Sequence, residues 1–124
     1  MAGTVIIPWY ATGFRADAFE DDLGEIAAVA LRYGASSYAV YRARDDRYKF
    51  QQFAAFEEYI EWERYWEGAE MTYFRATHSS WYQIPVLYGW WDQTAAGAIE
   101  RAPERVANGG GNGWGPPTPN GEST

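Results

Sequence analysis

An α+β domain of order β-α-β-β-α-β is what the sequence predicts, on three observations. Residues 4–10 (TVIIPWY) are apolar at nearly every position. Residues 16–33 and 57–78 carry apolar side chains at helical spacing. Two strand-like segments between them are joined by only Asp45-Asp46-Arg47. At 124 residues the chain is long enough to bury one core without disulfides or metals as staples. Right-handed crossovers place both helices of such a chain on one face of a four-stranded antiparallel sheet, the ferredoxin-like arrangement.

The first segment reads as a buried strand, with Pro8 marking an edge or a bulge because it has no N–H for a neighbouring strand. Thr12-Gly13 turns the chain. Over residues 16–33, Phe19, Leu23, Ile26, Ala27 and Ala30 recur at i, i+4, i+7, i+8 and i+11, a single stripe of a helix. Asp17, Glu20, Asp21 and Asp22 crowd its first turns, where the helix dipole favours negative charge, and Gly34 is a stop signal. Residues 36–44 (SSYAVYRAR) and 48–56 (YKFQQFAAF) form a hairpin. A second helix over residues 57–66 puts Tyr59, Trp62 and Trp66 on one face. Gly68 interrupts it, and Met71, Phe74, Arg75 and His78 continue at i, i+3, i+4 and i+7. Residues 81–91 (WYQIPVLYGWW) form the last strand.

The first and last strands are apolar on both faces. Val5, Ile7 and Trp9 oppose Ile6, Pro8 and Tyr10, and Ile84, Val86, Tyr88 and Trp90 oppose Trp81, Pro85, Leu87 and Trp91. A half-exposed sheet alternates apolar with polar. The helices cover one face, no further element is available for the other, and a second copy packed sheet to sheet in a two-fold homodimer is the expected cover. From Thr94 the composition turns rich in Gly and Pro. A short helix is expected up to Pro103 at most, followed by a flexible tail that cannot bury enough surface to order itself. The domains are therefore 1–93 and the tail 94–124, with Trp114 an incidental aromatic.

Composition narrows the function. No cysteine means no disulfide, thiolate metal site or Cys nucleophile, and the single histidine, His78, leaves no usual zinc or copper ligand set, so no metal site is expected. A net charge of -7 argues against nucleic acid. No apolar run reaches the roughly 18 residues of a membrane span, and MAGTVIIPWY lacks the basic start of a signal peptide, so a cytoplasmic protein away from membranes is the expectation. Aromatic residues make up 19% of the chain, more than a small core holds with ease, which points to a pocket or an interface.

The element order, the hairpin leading into YKFQQFAAFEEYIEWERYW and the final strand ending in Trp90-Trp91 resemble the antibiotic biosynthesis monooxygenase (ABM) domain of the dimeric α+β barrel superfamily. The likeness spans residues 3–92. It implies a homodimer through the sheet, and activities that range from cofactor-independent oxygenation of aromatic substrates to haem degradation and to none known. For a cofactor-independent monooxygenase, a pocket between helices and sheet would hold an electron-rich phenol whose anion reacts with oxygen. His78 is then the expected proton acceptor and Arg75, one turn earlier, the partner of the phenolate. Trp9, Trp62, Trp66, Phe74, Trp81, Tyr41 and Tyr82 are the expected substrate-binding walls, with Arg42 and Tyr88 also within the candidate set. No cofactor is expected on that reading.

Haem is the alternative. In the haem-degrading branch a helix-borne His binds iron, a preceding Trp packs on the haem, and an Asn on the first strand completes the site. Trp66 and His78 resemble the first two, but the first strand offers Ile6, Ile7 and Pro8 in place of the Asn. A third reading is a non-catalytic dimeric assembly module. Arg42 and Arg75 then pair with surface carboxylates, the aromatics serve packing, and His78 is a hydrogen-bonded residue at the core's edge. The glutamates between Glu57 and Glu70 read as a solvated helix face.

Overall fold

The computed structural model describes residues 1–100. Met1–Thr94 forms one compact unit. It contains β1 (Gly3–Tyr10), α1 (Ala16–Val29) continued by a 3₁₀ turn (Ala30–Tyr33), β2 (Ser37–Arg42), β3 (Lys49–Phe56), α2 (Tyr59–Glu67), α3 (Ala69–Thr77) and β4 (Gly89–Trp91). The strands form one antiparallel sheet in the order β2-β3-β1-β4, so the α+β, ferredoxin-like fold read from the sequence is the fold observed.

The core lies between the sheet and the helices. Val5, Ile7 and Trp9 of β1 and Phe50, Gln52, Ala54 and Phe56 of β3 point into it, each at most 2% exposed. From α1, Phe19, Leu23, Ile26 and Ala27 meet them, and Ala30 follows from the 3₁₀ turn. Each large side chain so buried contributes roughly 1.5–3 kcal/mol. Gly34 closes the turn at φ 108°, a left-handed conformation that L side chains avoid, and a Cβ there would stand 2.5 Å from Glu61 Oε2.

The opposite face carries Ile6, Pro8, Tyr10, Tyr41, Phe53 and Trp91, none of them buried. Tyr41 and Trp91 are 63% and 57% exposed, and Tyr41 packs edge-on against Phe53 with ring centroids 5.5 Å apart. No helix among the described residues covers this face.

Three sequence expectations are corrected. The last strand does not run over 81–91. Ala11 forms an isolated bridge with Tyr82, and regular pairing resumes only where Thr4–Ile6 meet Trp91–Gly89. Between these pairings β1 spends residues 7–10 while the facing segment spends residues 83–88, two more. The cause lies in β1. The Tyr10 carbonyl accepts from the Gln83 N–H at 2.9 Å on this side, and Pro8, two residues back, turns to the same side with no N–H to offer. In α2 the face is rotated from the one expected. Tyr59 is 44% exposed and Tyr65 is buried instead, at 1%. Residues 95–100 form no part of a helix, against the expectation of one up to Pro103. The remainder of that segment, the expected tail and Trp114 lie outside the described residues.

Candidate functional site

Spacing on α2 sets the first part of the site. Trp62, Tyr65 and Trp66 fall at i, i+3 and i+4, so all three turn toward the sheet. Trp62 packs on Trp66 with ring centroids 5.2 Å apart, and Trp66 reaches Trp9 of β1 at 6.1 Å. Trp9 in turn meets Phe19, Phe74 and Tyr82 at 5.8, 5.8 and 4.9 Å, all edge-on, the preferred arrangement for aromatic pairs. Tyr88, just before β4, closes the group from outside at 5.1 Å from Trp62 and 5.0 Å from Trp66.

A buried polar chain holds Trp9 in place. Its Nε1–H donates to Gln52 Oε1 at 2.9 Å, Gln52 Nε2 donates to the Tyr65 hydroxyl at 2.9 Å, and that hydroxyl donates to the Ile26 carbonyl at 2.7 Å. Each donor faces an acceptor, which is what permits an amide and a phenol in so dry a place. Burial pushes the Tyr65 phenol well above its ordinary range. Nothing in the local sequence marks Gln52; only the alternation of β3 points it inward.

Arg75 of α3 lies over Trp66, its guanidinium carbon 4.3 Å from the ring centroid, and its Nη2 donates to the Trp66 carbonyl at 2.6 Å. That carbonyl is in the last turn of α2, where it lacks an intrahelical partner and where the helix dipole favours a cation. Arg75 therefore spans the break at Gly68 and pairs with no carboxylate among the described residues. Its Nε is buried with no hydrogen-bond partner there. Burial raises the Tyr82 phenol above its usual value, and Arg75 draws it part of the way back. Arg42, by contrast, donates to Asp17 and Glu20 at 2.9 and 2.6 Å.

His78 stands apart from this group. It follows the last turn of α3, stacks on Phe74 at 4.3 Å and meets Trp81 edge-on at 4.6 Å. Its Nδ1 lies 2.8 Å from the Phe74 carbonyl and its Nε2 2.8 Å from Asp22 Oδ2, which ties α3 to α1. The Thr77 hydroxyl also lies 3.0 Å from Nδ1, so both ring nitrogens are engaged by neighbouring protein groups. An iron ligand needs a free ring nitrogen, so the residues present do not fit a haem site. Phe74 stands between His78 and Trp9. Trp81 carries the Arg15 guanidinium 5.4 Å from its centroid.

Of the expected walls, Trp9, Trp62, Trp66, Phe74 and Tyr82 come together, with Arg75 at their edge. Trp81 lies beyond His78, and Tyr41 lies on the other face of the sheet. These side chains pack ring against ring between the helices and the sheet. Hollows of about 420 and 200 Å³ lie elsewhere, one beside Thr12, Phe14, Arg15 and Ser80 and one on the outer face beside Tyr38, Phe53 and Gln93. No group of three His, Asp or Glu side chains suited to a metal ion occurs among the described residues. No helix of the described residues is long and apolar enough to cross a membrane.

Solved structures share this architecture. PA3566 from Pseudomonas aeruginosa superposes with a TM-score of 0.68 at 20% identity, over 76% of this chain and 95% of that one. SnoaB from Streptomyces nogalater, a cofactor-independent oxygenase, gives 0.67 at 14% identity over 77% and 95%. A Nitrosomonas europaea protein provisionally named an antibiotic biosynthesis monooxygenase gives 0.68 at 16% identity over 75% and 90%. The chain thus has the fold of the ABM-like proteins. No family model and no curated protein matches the sequence.

Proposed function

We propose that the chain binds a small planar aromatic molecule bearing a hydroxyl or oxyanion at the Trp62–Trp66–Arg75 edge of the core, as a two-fold dimer closed through its open sheet face. The observation behind this is the buried, unpartnered Nε–H of Arg75, whose guanidinium lies over the Trp66 indole. An unmet buried donor costs about 1–3 kcal/mol, which an oxygen on a flat ligand would recover while its rings replace water on the tryptophans. The enzymatic form is oxygenation without a cofactor, the activity in SnoaB's description. With 1-naphthol as substrate, the hydroxyl proton leaves to solvent, the para carbon bonds to O₂, and loss of water from that peroxide gives the quinone. One naphthol and one O₂ become one naphthoquinone and one water, and the substrate supplies every electron. Arg75 would hold the naphtholate.

Calorimetric titration with 1-naphthol and with naphthalene tests the binding. We expect saturable binding at one molecule per chain, with naphthol at least roughly tenfold tighter, the equivalent of about 1.4 kcal/mol. Equal affinities would remove Arg75 from the site, and no saturation with either would remove the site itself. Oxygen consumption with naphthol then separates a binding protein from an oxygenase.

A further inference from the structure

The aromatic site has walls and a donor, and the segment that leads into β4 beside it lies outside the sheet pairing. Residues 84–88 make no hydrogen bond among the described residues. Backbone hydrogen bonds hold them only at their ends, by Gln83 on the Tyr10 carbonyl at 2.9 Å and by the pairing of Gly89 with Ile6, while Val86 packs, partly buried, against the core. Ile84 and Leu87 are 78% and 73% exposed, so Val86 alone of its aliphatic side chains contributes burial that resists opening. Segments with exposed backbone and few buried contacts open at a small fraction of the global unfolding free energy. Pro8 keeps the strap from pairing with β1, as described above. At its end Tyr88, 42% exposed, lays its ring against both Trp62 and Trp66.

We propose that Tyr88 is the gate and the specificity-determining residue of the aromatic site: the 84–88 strap swings outward and a planar ligand takes the place of the Tyr88 ring against Trp62 and Trp66. The closed packing seen here is then the resting state, in which a side chain of the protein occupies the ligand's position. The ligand class follows from what is displaced, a flat ring system of one or two fused rings. This rests on the aromatic-site reading above. It goes further in naming the entry route and the residue that competes with the ligand. The phenol of Tyr88 has no hydrogen-bond partner among the described residues, so its departure leaves no buried polar group unmet.

Wild type, Tyr88→Ala and Tyr88→Trp, titrated with 1-naphthol by calorimetry and by the indole N–H resonances in NMR spectra, provide the test. With the competing ring removed, Tyr88→Ala should bind roughly tenfold tighter, equivalent to about 1.4 kcal/mol, with a faster association rate. The larger ring of Tyr88→Trp should bind more weakly than wild type. Tyr88 sits on an unbonded strap, so both variants should keep the folded spectrum. Three equal affinities would overturn the gate while leaving the aromatic site standing. Weaker binding in Tyr88→Ala would make Tyr88 a wall of the site and overturn the gate as well. No binding by any of the three would overturn both the gate and the aromatic site.

Discussion

At the scale of single residues, Gln52 and Tyr65 are the side chains that the sequence conceals. Periodicity sees apolar residues, and a glutamine in mid-strand reads as solvent-facing until its partners are known. The partners come from three other elements: Trp9 on β1, Tyr65 on α2 and the Ile26 carbonyl on α1. Tyr65→Phe would leave Gln52 Nε2 and the Ile26 carbonyl unmet, and urea unfolding should show a loss of about 1–3 kcal/mol. The effect has a pH signature. The Tyr65 phenol is raised by burial, so above about pH 10 the unfolded chain ionises this group while the folded chain does not. Stability conferred by Tyr65 is therefore complete below pH 10 and declines as the pH rises beyond it. Tyr10 and Tyr33, raised by hydrogen bonds to Asp46 and Glu70, act in the same direction but are present in both proteins. The gap between wild type and Tyr65→Phe should consequently narrow above pH 10; a gap that widens there would contradict this account. Arg75 and Trp66 were legible as candidates, but not their contact, because the pair meets across a helix break.

At the scale of elements, the helices were legible because their apolar stripes repeat within the segment itself. α1 starts where the sequence places it, and Gly34 ends its 3₁₀ extension. Gly68 was legible as a break, and the structure supplies its steric cause. A Cβ there would stand 2.5 Å from the Tyr33 hydroxyl and 2.8 Å from the Arg64 carbonyl oxygen, and backbone cannot retreat as a side chain can. The Tyr33 hydroxyl is itself committed to Glu70 at 2.6 Å. Gly68→Ala should therefore destabilise by roughly 1–3 kcal/mol by the overpacking mechanism, although its φ of -70° suits alanine. An unchanged urea midpoint would show that Tyr33 moves aside freely. β4 was misjudged for the opposite reason. Its interruption is written in Pro8 on β1, more than seventy residues earlier, and no reading of residues 81–91 alone reveals it.

At the scale of the whole molecule, the open sheet face is the feature least compatible with an isolated chain. Ile6, Tyr41, Phe53 and Trp91 are the kind of surface that a second sheet covers, since face-to-face packing of two sheets buries alternate residues of both. Light scattering on the purified chain should report twice the chain mass. Phe53→Glu, at the centre of that face, should return the mass to one chain while leaving the helix-facing core intact. A wild-type monomer at micromolar concentration would sink the dimer. On the function proposed above, the two sides of the sheet would have separate tasks, with the aromatic site on the helix side and assembly on the other. The sequence showed that both faces are apolar; it could not show on which side Tyr41 falls, because strand alternation has no absolute sense until one residue is located.

The two surplus residues opposite Pro8 have a further consequence. Side chains along a strand alternate with a period of two, so an interruption of even length preserves which of them look inward when pairing resumes. Tyr82 before the strap and Trp90 after it both pack against the core, while Trp91 still turns out. A surplus of one would have everted the last strand. A pair is therefore the smallest insertion that the interior of this domain does not register, and chain length can vary here in twos without rewriting the core.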